Sequence, residues 1–169
     1  MKKNIIVATL VAAAAMTTAS AFAADGTVNF NGSIIDTSCN VTNLTSGSLN
    51  VDLGAVSKAA LSSAGMKSAA KTFSINVTDC PTDTVSVSFD GTSVGGNNNL
   101  LALSNSTATG VGVEIVDAKG IVVPLYKSSS TYDLTANAAN LEFVARYVAT
   151  GAVGAGTANA TADFTINYN

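Results

Sequence analysis

Cys39 and Cys80 are the residues whose chemistry can be read first. The chain has no histidine, so neither a Ser-His-Asp nor a Cys-His arrangement can be assembled. Without histidine or a closely spaced cysteine pair, a zinc site is disfavoured. The carboxylates are scattered. Asp79 and Asp83 flank Pro81 and read as turn residues, and Asn97–Asn99 is too poor in ligands for a hard cation. The expectation is no catalytic residue, no metal and no cofactor. Arg146, the sole arginine, is expected to sit on a strand and pair with a carboxylate rather than contact a ligand. What the two cysteines can do is oxidise. A bridge closing roughly 40 residues would contribute about 4 kcal/mol in the chain-entropy account. Two free buried thiols are the alternative reading.

The compartment bears on that choice. Lys2 and Lys3 precede an apolar run, Ile5 to Met16, interrupted only by Thr9, and Ala21-Phe22-Ala23 has the small-x-small form of a cleavage site. Residues 1–23 are therefore expected to be a signal peptide, too short in its apolar part to anchor the chain in a membrane. An exported chain with two cysteines favours the bridge. Loss of Lys2 and Lys3 leaves six basic against eleven acidic residues, a net charge of −5. That balance argues against nucleic acid or an anionic membrane as the main partner.

The elements that must position the cysteines read as strands. Ala, Thr, Val, Ser, Asn and Gly dominate, and no 3.6-residue period follows the signal segment. Thr27 to Val41 alternates, with Val28, Phe30, Gly32 and Ile34 on one face and a break in parity near Ile34-Ile35. Leu49-Val51-Leu53, Phe73-Ile75-Val77, Val85-Val87-Phe89 and Leu141-Phe143-Ala145-Tyr147 read as strands. Val111–Ile115 and Ile121–Leu125 flank Asp117-Ala118-Lys119-Gly120 as a hairpin. Val56–Ser68 reads as a loop with one helical turn. Gly91–Asn99 and Gly151–Gly156 read as loops. From Gly156 to Asn169 every even position is small or apolar and every odd one polar, which predicts one half-buried strand. Many short strands with turn signals predict an all-β sandwich in one domain.

The order of these segments resembles that of chaperone–usher fimbrial subunits of the type 1 pilin family. The resemblance rests on the signal peptide, on Gly-Thr-Val-Asn-Phe-Asn-Gly-Ser-Ile-Ile-Asp-Thr-Ser-Cys at 26–39, and on Val51-Asp52-Leu53-Gly54. It continues through Phe73–Val77 ahead of Cys80, Phe143–Gly151, and a final strand with Gly156 fourteenth from the end and Tyr168 penultimate. Each segment alone is weak; their order and spacing together are specific.

The resemblance implies an incomplete immunoglobulin-like β-sandwich of six strands that lacks the seventh, with an N-terminal donor-strand extension. Residues 24–35 would be that extension and 36–169 the sandwich. Gly26, Val28, Phe30, Gly32 and Ile34 would enter a neighbour's groove. Gly156, Phe164, Ile166 and Tyr168 would line this subunit's own groove and be read by a periplasmic chaperone. The implied partners are identical or related pilin subunits, the chaperone and an outer-membrane usher. The implied destination is a cell-surface fimbrium reached through the periplasm, with a major subunit favoured over a minor one. The alternative from another class is a free-standing secreted sandwich that binds a carbohydrate or a protein.

Overall fold

The computed structural model describes residues 26–169, so the expected signal peptide, Ala24 and Asp25 lie outside the described residues. The chain divides into two units, residues 1–34 and 35–169. In the first, residues 26–34 form no secondary structure despite their alternation. Val28, Phe30 and Ile34 are exposed, Phe30 to 93%.

The second unit is all-β except for one 3-10 turn, Lys58–Leu61, among the described residues. Its strands are β1 (Asn40–Val41), β2 (Lys71–Thr78), β3 (Thr84–Asp90), β4 (Ser93–Val94), β5 (Asn97–Ala102), β6 (Thr109–Asp117), β7 (Tyr132–Asp133), β8 (Ala139–Gly154) and β9 (Asp163–Tyr168). They make a six-stranded sheet in the order β1-β2-β8-β6-β5-β4 and a three-stranded sheet in the order β7-β3-β9. Every pairing is antiparallel.

Alternation decides what lies between the sheets. Ile75 and Val77 of β2, Val85 and Val87 of β3, and Leu141 and Phe143 of β8 are almost wholly buried. The sheets are joined by aromatics: Phe89 of β3 meets Phe143 of β8 edge-on, with centroids 5.2 Å apart. Cys39 and Cys80 form the disulfide expected of an exported chain. It ties the segment entering β1 to the end of β2.

Several sequence expectations change: of Gly156–Asn169, expected as one strand, only β9, Asp163–Tyr168, forms one. Thr27–Val41 yields only the two residues of β1. Leu49–Leu53 alternates but forms no strand. Gly91–Asn99 is not simply a loop, because Asn97–Asn99 open β5 with exposed side chains at the sheet margin. Gly151–Gly154 continues β8, which runs for 16 residues. A bulge makes that length possible, the register shifting between Thr109 and Val111 so that Thr109 pairs with Gly154. Gly110 sits in the bulge at φ +71, where a Cβ would lie 2.2 Å from the Ala152 carbonyl oxygen.

The Asp117–Gly120 turn forms as expected, with Gly120 N–H donating to the Asp117 carbonyl at 2.9 Å. The Asp117 carboxylate accepts from the amides of Lys119, Ile121 and Ser130. The returning arm is weaker than a full strand. It makes one bridge, Val116 to Val122, before Pro124 removes a donor.

Candidate functional site: an apolar cleft

A cleft of about 1030 Å³ opens into the core of the second unit. Its floor includes Phe73 and Ile75 of β2, Val113 and Ile115 of β6, and Tyr147 of β8. One lip is the segment 47–56, carrying Leu49, Val51, Leu53 and Val56; the other is 153–164, carrying Ala158, Ala160, Ala162 and Phe164. The floor is largely buried, whereas Leu49, Leu53, Val56, Ala158, Ala160, Ala162 and Phe164 on the lips are apolar and only partly buried.

Backbone hydrogen bonds show what each lip lacks. On the second lip the odd residues face the segment 104–108. The Thr157 carbonyl accepts from the amides of Thr107 and Ala108, and the Asn159 carbonyl from the Ser104 amide at 2.8 Å. The Thr157 amide donates to Thr107 Oγ1 and the Asn159 amide to Ser106 Oγ. Further along, the Asn169 amide donates to the Thr84 carbonyl. A strand presents the amide and carbonyl of one residue on the same side and of the next on the other. The even residues, Ala158 to Tyr168, therefore turn theirs away from these partners, and those from Ala158 to Phe164 border the cleft. On the first lip, Leu49–Leu53 makes no backbone–backbone hydrogen bond among the described residues. Leu49-Val51-Leu53 alternates as a strand does but has nothing beside it to complete a ladder.

The two lips are thus facing, unpaired edges above an apolar floor. From Ala158 to Phe164 the open edge is seven residues, roughly 20 Å at strand rise. The arrangement can accept an extended chain by backbone pairing, with alternate side chains entering the floor. Among the described residues no group of three or more His, Cys, Asp or Glu could hold a metal ion.

The expected site residues fall into place unevenly. Gly156 and Phe164 line the cleft. Ile166 and Tyr168 do not; they are half-buried and pack against the core beyond it. The Tyr168 hydroxyl accepts a hydrogen bond from the Cys39 amide at 2.9 Å. Gly156 has a steric reason to be glycine, since a Cβ there would meet Thr107 Oγ1 at 2.4 Å and the Ala108 nitrogen at 2.5 Å. Gly26, Val28, Phe30, Gly32 and Ile34 are all exposed. Arg146 pairs with Glu114, its cross-strand neighbour, as expected of it. Lys67 reaches the same carboxylate at 2.7 Å. Burial raises the Glu114 carboxyl, but the hydrogen bonds and charges of Lys67 and Arg146 outweigh it and hold the group below its ordinary range. The first lip and Tyr147 were not anticipated as parts of the site.

A family profile described as Fimbrial protein matches residues 28–169. The chain belongs to the fimbrial protein family. It is 37% identical to a probable major fimbrial subunit, LpfA, of Escherichia coli O157:H7, over 99% of this chain and 97% of that one. It is 39% identical to a type-1 fimbrial protein subunit of Serratia marcescens, over 99% of both. Among solved structures it is similar to a subunit of a chaperone–usher pilus, with a TM-score of 0.66 and 25% identity over 86% of this chain and 96% of that one. The P pilus rod subunit PapA shares the fold at the same TM-score, 0.66, with 23% identity over 78% of this chain and 99% of that one. This is a type 1-like pilin with an immunoglobulin-like fold, a structural subunit of surface fimbriae and not an enzyme.

Proposed function

We propose that the cleft is the acceptor for residues 24–35 of a second copy, and that the pilin polymerises by this donor-strand exchange as the repeating major subunit of a rod. The observation that carries the reading is the open backbone edge of Ala158–Phe164 above an apolar floor. The donor is of the right kind. Val28, Phe30 and Ile34 share one parity, are exposed, and are flanked by Gly26 and Gly32, which permit close backbone approach. Burying the three would contribute roughly 5–9 kcal/mol per junction before ordering costs. The name of the relative in Escherichia coli O157:H7 supports the major-subunit role.

An uncovered edge over a hydrophobic floor is an aggregation hazard. The reading therefore includes a periplasmic chaperone that covers the cleft first, through the C-terminal strand with Gly156, Phe164, Ile166 and Tyr168. An outer-membrane usher is where the next subunit's segment replaces it. The chain is exported, passes through the periplasm and ends in the fimbrium; no helix of the described residues is long and apolar enough to cross a membrane.

The test is a thermal melt of the mature chain with and without a peptide of residues 24–35. A melting temperature that rises with peptide concentration, and does not rise with the Phe30→Arg peptide, supports strand acceptance. No rise with either peptide overturns it.

A further inference from the structure

We propose that the Tyr147 hydroxyl holds the Ala158 carbonyl while the cleft is empty and yields it to the amide of an inserted strand, so that Tyr147 governs how readily insertion passes this point. The inference rests on the strand-accepting reading above.

Tyr147 lies on the floor, and Ala158 on the lip. The tyrosine hydroxyl donates to the Ala158 carbonyl at 2.5 Å. Ala158 is an even residue, and the odd residues on either side of it, Thr157 and Asn159, spend both backbone groups on 104–108. Its carbonyl is therefore one of the acceptors that a strand added at this edge would use. In an empty cleft that carbonyl, half-buried and without a backbone partner, would be costly to leave unpaired. The tyrosine supplies the missing donor.

Nor is the tyrosine free to move aside. Its amide donates to Ser68 Oγ at 3.0 Å, and its carbonyl accepts from the Ser68 amide at 2.9 Å. On the other side it stands opposite Val113 of β6, in register. The ring belongs to the buried core. A fixed donor of this kind stabilises the empty cleft more than the filled one, because in the filled cleft an incoming amide can replace it. Tyr147 is thus a positioning residue for strand exchange, acting through the lip.

The experiment is an ester scan. Peptides of residues 24–35, each with one backbone amide replaced by an ester, remove one N–H at a time. Each is titrated against the mature chain and against Tyr147→Phe. The wild-type chain is expected to tolerate the ester at one position, because the tyrosine still satisfies Ala158. Tyr147→Phe is expected to bind that same peptide about fivefold more weakly than the all-amide peptide, and to bind the all-amide peptide with faster association than wild type. A general loss of stability from the missing hydroxyl would shift all peptides equally, so a uniform effect overturns the inference while leaving strand acceptance intact. If Tyr147→Phe does not fold, the scan on the wild-type chain decides. One tolerated position flanked by sensitive ones supports the placeholder, and uniform sensitivity overturns it. No binding of any peptide by the wild-type chain overturns both this inference and the strand-accepting reading.

Discussion

Tyr168 and Cys39 stand 129 residues apart in the chain, and the Cys39 amide donates to the Tyr168 hydroxyl at 2.9 Å. The bond fastens the C-terminal strand to the residue that enters the disulfide. It also explains why Tyr168 packs against the core without lining the cleft. Its phenol is engaged at the far end of the strand.

Tyr168→Phe should therefore destabilise the subunit without touching the cleft. The Cys39 amide, on a buried residue, loses its partner, at a cost of about 1–2 kcal/mol. Chemical denaturation should show a lower midpoint with an unchanged slope, while peptide affinity at saturating stability stays as in wild type. A variant with wild-type stability would show that the bond contributes nothing.

Gly156→Ala should do the opposite, damaging the lip itself. The added methyl would collide with the Thr107 and Ala108 backbone, which cannot swing away as a side chain would. Overpacking of this kind costs about 1–3 kcal/mol. Hydrogen exchange should report faster opening of the Thr157 and Asn159 amides, whose partners are Thr107 Oγ1 and Ser106 Oγ. Unchanged exchange there would refute the steric reading of this glycine.

Acid should weaken the fold through Glu114 and Asp117. Both carboxyls are held below their ordinary values, although burial pushes each upward. For Glu114 the opposing groups are Lys67 and Arg146; for Asp117 they are Ser130, Ile121 and Lys119. A depressed folded-state value means the stabilisation is present above the unfolded-state pKa and disappears as pH falls through the folded one. Lys67 is 41% exposed and Arg146 27%, so solvent screens the cluster, and Glu114→Gln is expected to cost only about 1–2 kcal/mol at neutral pH. Melts from pH 7 downward should fall less steeply for Glu114→Gln than for wild type. Parallel curves would remove Glu114 from the account.

Cys39→Ser should cost about 4 kcal/mol, the value for a loop of roughly 40 residues, since the bridge limits mainly the unfolded chain. Reduction of the wild-type protein should reproduce the loss. Free thiols by mass spectrometry in protein recovered from assembled fimbriae would contradict the bridge.

Much of the fold was legible because alternation and burial agree wherever a strand has neighbours. Phe73–Val77, Val85–Phe89, Val111–Ile115 and Leu141–Tyr147 all become strands with the expected faces inward. Alternation misled at Val28–Ile34 and Leu49–Leu53, where the side-chain pattern is present but no partner strand is, and a strand is defined by its ladder. Asn97–Asn99 misled in the other direction, because the exposed start of a strand can carry polar residues and so read as a loop. The C-terminal alternation located one lip of the cleft, but the pattern cannot tell which residues face the floor and which face the core beyond it. Phe164 lines the cleft and Ile166 does not, although they share a face. Tyr147 was visible only as a core residue; its hydroxyl acquires meaning from Ala158, which pairing alone brings near.

The open edge at Ala158–Phe164 and the exposed segment at 26–34 are different surfaces of one chain. A contact between unlike surfaces has no two-fold axis and does not close on itself after one pairing. Repeated by the strand addition proposed above, with a rotation that does not close into a ring, it would build an open helix with a direction, one end presenting a vacant edge and the other an unused segment. Length would then be set by what caps an end and not by the geometry of the junction.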